Sequence, residues 1–285
     1  MSEIPAEVPA IDYAARWREI VERRRVQMES AYAASGIVNA DYWGKRAKQY
    51  REALHHRPEE DPFFLRVRAA CSSKTTVLDV GAGTGRHTLA LAPHVGHVTA
   101  VDPSGAMLGF LREDVASAGI TNVTAVESDW MTAEVEAADV VICSHVLYPI
   151  AEPLPFIERL ASHARERVFV YLRVDPLPTD MGLWSEFYGV PLQSQPMALD
   201  LVNLLAQAGI MADMEVTPHR FTWTFHSLEE SVEQLRNTLC LREDDAAATE
   251  KLRRLVGERL VEWPNGRLGP EVAQARSAII SWAPS

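Results

Sequence analysis

Short apolar segments alternate with helical segments between residues 76 and 173, and this alternation constrains the fold more than any other feature of the chain. The apolar runs lie at 76–80, 97–101, 122–126, 138–143 and 167–173. The helical segments lie near 84–94, 104–118 and 153–165. Strands that alternate with helices pair in parallel, so the pattern predicts a doubly wound α/β sheet. The last run is rich in β-branched and aromatic residues, which is typical of a buried central strand.

Helical patterning precedes this core. Residues 11–35 form one amphipathic pattern, with Gly36 as a stop signal, and 40–56 form a second. Asp61 followed by Pro62 is a typical helix start, with the aspartate as N-cap.

The alternation stops after Asp175. The segment 175–196 contains several prolines and aromatic residues and is expected to be a long loop or lid. A helix is expected at 197–208, and a strand-like but proline-interrupted segment follows at 214–225. The sequence SLEE at 227–230 indicates a capping box, which begins a helical insert extending to about 262. SAIISWAP near the end of the sequence is expected to be a last strand.

Charge and composition limit the partners. The chain has 28 Lys and Arg against 39 Asp and Glu, a net charge of −11, so its overall field does not attract nucleic acid. No apolar run approaches the roughly 18 residues of a membrane span, and the first residues do not resemble a secretory signal. The 3 scattered cysteines suggest neither a disulfide framework nor a metal site. A cytoplasmic protein without a metal or membrane partner is therefore expected.

A glycine-rich turn joins the first strand to the first helix. It reads Asp79-Val80-Gly81-Ala82-Gly83-Thr84-Gly85, and such turns let a ligand lie against bare backbone at the carboxyl ends of parallel strands. Asp102 ends the next strand, 17 residues after Gly85, where an acid can accept from both hydroxyls of a ribose. Asp129 and Trp130 follow the third strand, where they suit an adenine amino group and ring face.

The spacing of the glycines separates two classes of nucleotide. A dinucleotide site uses G-x-G-x-x-G, with a helix start directed at a pyrophosphate, whereas this turn reads G-x-G-x-G. The acid two residues before the first glycine, Asp79, would repel a pyrophosphate and favour a cationic amine. The residues therefore indicate a ligand with a ribose, an adenine and a positively charged end.

The motifs VLDVGAGTGRHT, AVDPSGAML, VESDWM and ADVVICSHVLYPI, in this order, resemble those of class I S-adenosylmethionine-dependent methyltransferases of the small-molecule type. The resemblance covers roughly residues 75–175 and implies a mostly parallel seven-stranded sheet. It suggests an N-terminal helical cap at 1–72, an S-adenosylmethionine-binding α/β core at 73–175, and a lid, helical insert and closing strands of the same domain at 176–285.

The resemblance also implies roles for particular residues. Asp79 and the backbone of Gly81, Ala82 and Gly83 would hold the methionine end of the cofactor. Asp102 would bind the ribose hydroxyls, and Met107 would lie beside the adenine. Asp129 would meet the adenine amino group with Trp130 close by, and Pro103 would also contact the cofactor. The segment DYWGKRAKQY resembles a helix that folds over the cofactor, so Tyr42, Trp43 and Arg46 would border the site. The alternative is that Tyr42 and Trp43 are core aromatic residues of an added helix.

Methyl transfer from a sulfonium is an in-line displacement that depends mainly on alignment. The fourth strand ends at Ser144, expected to touch the cofactor, followed by His145 and Tyr148 as candidate catalytic residues. An unperturbed histidine has a pKa of about 6.5, so His145 could take a proton at neutral pH, but a histidine that only bonds the lid is the alternative. Trp184, Phe187 and Tyr188 suggest an apolar small-molecule acceptor, unless they form local core.

Three functions fit these patterns. The first is a methyltransferase that acts on a small molecule and yields S-adenosylhomocysteine. The second is a catalytically silent S-adenosylmethionine-binding partner subunit. The third is a nicotinamide-dependent oxidoreductase, which lacks its usual glycine spacing here. The acceptor atom, the need for a base and the oligomeric state are left open by the sequence.

Overall fold

A computed structural model describes residues 11–36, 47–48, 51, 60–176, 180–219, 224–271 and 275–284. Tyr42, Trp43 and Arg46 lie outside these ranges, as does most of the helix expected at 40–56.

The strands are β1 Thr76–Val80, β2 His97–Asp102, β3 Val123–Glu127, β4 Ala138–Ser144, β5 Ala164–Arg173, β6 Asp213–His219, β7 Leu260–Glu262, β8 Leu268–Pro270 and β9 Ala275–Trp282. The helices are α1 Tyr13–Ser35, α2 Pro62–Ala69, α3 Arg86–Leu91, α4 Gly105–Ser117, α5 Pro153–Ser162, α6 Trp184–Tyr188, α7 Ala198–Gln207, α8 Leu228–Thr238 and α9 Ala246–Gly257. A short 3-10 helix, Ala92–His94, follows α3.

The main sheet has seven strands in the order β3-β2-β1-β4-β5-β9-β6. Strands β1 to β5 pair in parallel, and β9 runs antiparallel to both β5 and β6. The predicted doubly wound, mostly parallel seven-stranded sheet is therefore confirmed. The strand order reverses between β1 and β4, and open α/β sheets bind their ligands at the carboxyl ends of the strands beside such a point.

Helices cover both faces of the sheet because alternate strand residues are apolar on each face. One face packs against α1, α5 and α7, and its core contains Trp17, whose indole N–H donates to the Ile150 carbonyl at 2.8 Å. The other face packs against α2 and α3 through Phe63, Phe64 and Leu91. The predicted start of α2 is confirmed, since the Asp61 carboxylate accepts from the backbone N–H of Phe63 at 3.0 Å.

The C-terminal part differs from the sequence prediction in two places. The expected loop at 175–196 contains the helix α6, in which Trp184 is buried and stacks on Tyr188 at 4.3 Å, within a core shared with α8 and α9. The helical insert ends at Gly257, and a β7–β8 hairpin replaces the expected helix to 262. An Asn265-Gly266 turn explains the hairpin, because Gly266 has φ 74°.

The search for membrane-spanning segments in the described ranges found no helix with the length and apolar character that a crossing requires.

Candidate active site

The glycine turn has a backbone conformation and close contacts that favour glycine over other residues. Gly81, Gly83 and Gly85 have φ of 73°, 56° and 88°, in the left-handed region that side chains disfavour. A Cβ on Gly81 would lie 2.2 Å from Cγ2 of Val146, in the segment after β4. Glycine at 81 therefore lets the β1 turn and the segment after β4 come into contact, and Gly81 and Val146 both line the same cavity.

The backbone N–H groups of this turn are directed at the end of β2. Those of Gly81 and Ala82 donate to the Val101 carbonyl at 2.8 and 3.1 Å, and that of Gly83 donates to Oδ2 of Asp102 at 2.9 Å. The turn is thus rigidly tied to the neighbouring strand, and these donors are already used within the protein.

Asp102 lies at the centre of this arrangement. Its Oδ1 accepts from the backbone N–H of Ser104 at 2.8 Å, and only 9% of the residue is exposed. Burial raises the pKa of the Asp102 carboxyl, while the backbone N–H groups of Ser104 and Gly83 oppose that rise. Each carboxylate oxygen has more than one lone pair, so Asp102 can accept further hydrogen bonds from a ligand hydroxyl.

Asp79 lies beneath the turn and is 2% exposed. The Thr88 hydroxyl donates to its Oδ2 at 2.6 Å, which connects β1 to α3. Burial, and secondarily the nearby Asp102 carboxylate, raise the pKa of Asp79 to about 7, although Thr88 lowers it. The role of Asp79 toward a methionine end stays a prediction, since its described contacts lie inside the protein.

A cavity of about 310 Å³ opens at the carboxyl ends of β1 to β4. Four residues predicted for the cofactor line it, namely Gly81, Pro103, Asp129 and Trp130. Four other predicted cofactor residues do not line the cavity. Ala82 and Gly83 are part of the turn, and Asp102 and Met107 lie beside Gly83. Asp129 is exposed, whereas Trp130 is buried, with the Arg159 guanidinium 4.9 Å from its ring. The walls are largely apolar, as an aromatic base would require.

Ser144 contacts His87, a residue that the sequence reasoning did not single out. Its Oγ lies 3.1 Å from Nε2 of the buried His87, whose Nδ1 is 3.8 Å from Oδ2 of Asp61. Burial would raise the pKa of Asp61, but His87, Arg86 and two backbone N–H groups outweigh it and hold that pKa below its usual value. Because Asp61, His87 and Ser144 lie far apart in the sequence, no sequence pattern indicated that they would meet.

His145 takes a strained conformation directly after β4. Its φ is 60°, its backbone N–H donates to the Tyr171 carbonyl at 2.9 Å, and its Nδ1 lies 2.8 Å from the Tyr148 hydroxyl. A non-glycine residue in this region costs about 1–3 kcal/mol and is found most often at functional sites. The structure therefore brings together the two candidate catalytic side chains.

Arg173 completes this cluster and was missed by the sequence analysis. Its backbone N–H donates to the Tyr148 hydroxyl at 3.0 Å, and its guanidinium lies 5.4 Å from the Tyr148 ring centroid. The available signal was a cationic residue at the end of the apolar run that forms β5. In the described ranges, no group of three His, Cys, Asp or Glu side chains is arranged to hold a metal ion.

Comparison with known proteins gives the domain type. Residues 77–167 match the methyltransferase domain family. The chain is 29% identical over 174 residues to an uncharacterized protein of Haemophilus influenzae, covering 60% of this chain and 64% of that protein. It is 46% identical over 68 residues to the 23S rRNA (uracil(1939)-C(5))-methyltransferase RlmD of Chromohalobacter salexigens, covering 23% of this chain and 14% of RlmD.

A third relative matches both in sequence and in structure. YcgJ, an uncharacterized methyltransferase of Bacillus subtilis, is 30% identical over 87 residues, covering 30% of this chain and 34% of YcgJ. Its crystal structure superposes with a TM-score of 0.53 and 12% identity, covering 78% of this chain and 98% of that one. The sequence matches span less than two thirds of each of these curated relatives. Residues 77–167 are therefore a methyltransferase domain by sequence, and the seven-stranded sheet has the fold seen in YcgJ.

Proposed function

We propose that the chain transfers a methyl group from S-adenosylmethionine to a small-molecule acceptor. The observation that carries the proposal is the position of Asp102, fixed by two backbone N–H groups at the carboxyl end of β2, beside the turn and the cavity. An acid there suits the two hydroxyls of a ribose. The cavity volume of about 310 Å³ lies at the lower end of the range of roughly 300–1,000 Å³ for ligand pockets.

The residues present fit this cofactor. Pro103 and Trp130 offer apolar surface for an adenine, and the exposed Asp129 can accept from its amino group. The Asp79 carboxyl, whose pKa burial raises to about 7, would be favoured in its ionised form by a cationic methionine end bound near the turn. When bound, S-adenosylmethionine supplies an already activated methyl group on a sulfonium, so the protein's main task is alignment of the acceptor.

His145 is the residue we assign to the acceptor side. Tyr148 engages Nδ1 at 2.8 Å, which makes Nε2 the nitrogen that would exchange a proton with the acceptor. The Tyr148 hydroxyl is itself fixed by the backbone N–H of Arg173. Ser144, held by His87, would present its hydroxyl to the bound ligand from the same strand end. Together these contacts limit the movement of the groups around the reacting centre.

The same geometry disfavours a nicotinamide dinucleotide. A pyrophosphate site needs backbone N–H groups that point at the ligand. Here the N–H groups of Gly81, Ala82 and Gly83 already donate to Val101 and Asp102. A silent cofactor-binding subunit would have the same cofactor residues as an active enzyme. Only a test of acceptor methylation therefore distinguishes the two.

The first experiment is a thermal-shift titration with S-adenosylmethionine, S-adenosylhomocysteine and NAD. At 100 times the Kd, a ligand that binds only the folded state stabilises it by about 2.7 kcal/mol, a shift of about 5–10 °C. We expect this shift with both adenosyl ligands and none with NAD. Stabilisation by NAD alone would refute the proposal.

The second experiment follows a labelled methyl group from S-adenosylmethionine into a panel of small acids, phenols, amines and RNA fragments. Turnover of a small molecule supports the proposal. Turnover of RNA alone would show that the acceptor is RNA and not a small molecule. Cofactor binding without turnover in any class would favour the silent subunit. His145→Ala separates the two readouts, because we expect it to slow turnover and leave cofactor affinity unchanged.

A further inference from the structure

Arg173 differs from the other arginines in the described ranges. Most of their guanidinium groups pair with carboxylates, as in Arg86–Asp61 at 2.8 Å and Arg165–Asp139 at 3.3 Å. Arg24, Arg159 and Arg267 donate instead to backbone carbonyls, and Arg68 is exposed to solvent. In the part of the chain that the structure describes, no carboxylate oxygen lies within 4.0 Å of the Arg173 guanidinium. Arg173 is nevertheless half-buried, at the carboxyl end of β5.

The carboxylate nearest along the chain is already occupied. Asp175 accepts from the Arg276 guanidinium at 2.7 and 2.8 Å and from the Arg276 backbone N–H at 3.2 Å. These contacts hold the pKa of Asp175 below its usual value. The contact described for the Arg173 guanidinium is the Tyr148 ring, 5.4 Å away. A cation over such a ring is stabilised only weakly, which offsets only part of the cost of burying a charge.

The position of Arg173 relates it to the proposed acceptor. Strands β4 and β5 are neighbours, with Ser144 opposite Tyr171. The His145 ring lies 4.9 Å from the Tyr171 ring and 6.0 Å from the Tyr148 ring. Arg173 therefore shares one strand end with the histidine that we assign to the acceptor, and the rings of Tyr148 and Tyr171 lie beside that histidine.

We propose that the methyl acceptor carries an anionic group, a carboxylate or a phosphate, that pairs with Arg173. That the anion belongs to a methyl acceptor rests on the proposed function, whereas the anion site itself does not. The planar guanidinium fork matches either oxyanion with two parallel hydrogen bonds. The chain has a net charge of −11, so its overall field repels anions and a local cation is required to hold one.

The test measures binding of small anions and their neutral analogues by ligand-observed NMR. The probes are acetate, benzoate, inorganic phosphate and phenyl phosphate, with acetamide and benzamide as neutral counterparts, in the presence and absence of S-adenosylhomocysteine. We expect at least one anion to bind the wild type at least tenfold more tightly than the neutral analogues. Arg173→Gln should abolish that preference, and Arg173→Lys should restore part of it.

Arg167→Gln is the matched control, because Arg167 lies on the same strand and pairs with Asp213 at 3.6 Å, away from the site. It should leave the anion preference unchanged. Equal binding of anions and neutral analogues, or a preference that survives Arg173→Gln, would overturn the inference. An Arg173-dependent anion site in a chain that does not bind S-adenosylhomocysteine would instead refute the proposed function and leave the anion site standing.

Kinetics then connect the site to the reaction. With an acidic acceptor, Arg173→Gln should raise KM at least tenfold while the affinity for S-adenosylmethionine stays constant. A methylated product without any anionic group on its acceptor, formed equally well by Arg173→Gln, would also contradict the inference.

Discussion

Replacing Asp79 with asparagine is expected to stabilise the folded chain above neutral pH. Burial raises the pKa of Asp79 from 3.8 to about 7. The folded state therefore keeps this proton up to about pH 7, whereas the unfolded chain releases it near pH 4. The contribution of Asp79 to stability is complete below about pH 4 and is lost as the pH rises through about 7. The asparagine side chain of the Asp79→Asn variant would carry no charge and would still accept from the Thr88 hydroxyl.

The magnitude follows from the shift in pKa. A difference of about three units corresponds to about 4 kcal/mol, at 1.36 kcal/mol for each unit. Asp79→Asn and wild type should thus have similar free energies of unfolding at pH 4, and the variant should gain about 4 kcal/mol by pH 8.5. Urea denaturation at pH 4, 5.5, 7 and 8.5 measures this difference, provided the m-values agree.

Asp139→Asn is the control for this experiment. Asp139 lies near the start of β4, at the opposite end of the sheet from the site, where it accepts from the Thr76 backbone N–H at 2.8 Å and the Thr76 hydroxyl at 2.9 Å. These hydrogen bonds hold its pKa below the usual value, so its loss should destabilise the chain at neutral pH. A constant difference between Asp79→Asn and wild type across the pH range would show that folding does not raise the pKa of Asp79.

Three further changes test the site. Gly81→Ala should lower the free energy of unfolding by at least about 1 kcal/mol and weaken cofactor binding, because its φ is 73° and its Cβ would meet Val146; Val146→Ala should partly restore both in urea and titration assays. Tyr148→Phe should cost about 1 kcal/mol and slow turnover more than it changes cofactor affinity, since it removes the partner of His145 Nδ1 and of the Arg173 N–H; equal activity would show that the hydroxyl does not position His145. His145→Gly should be more stable than His145→Ala by about 1 kcal/mol or more, because only glycine relieves the backbone strain while both lose the ring and turnover; equal stabilities of the two variants would contradict the strain argument.

The sequence predicts the core because its signals are local. The alternation from 76 to 173 and the turn at Gly81–Gly85 act through neighbouring residues, and the strands formed within a few residues of the expected bounds. The hairpin β7–β8 was overlooked although Asn265-Gly266 is a recognised turn signal. The helix α6 depends on burial of Trp184 against α8 and α9, which no local pattern specifies.

The acceptor side of the site depends on contacts between distant residues. His145 and Tyr148 were predicted because they follow a strand end, but Asp61, His87 and Ser144 meet only after the sheet forms. Arg173 became a candidate only when its guanidinium was found beside Tyr148 with no described carboxylate partner. Periodicity identifies strand ends, whereas the neighbours of a side chain across those ends require the folded chain.

The structure of a complex with S-adenosylhomocysteine would locate the cofactor directly. We expect a ribose with both hydroxyls on Asp102 and an adenine in the cavity bounded by Pro103, Asp129 and Trp130. A nucleoside bound in another crevice, with this cavity empty, would rule out the proposed cofactor site.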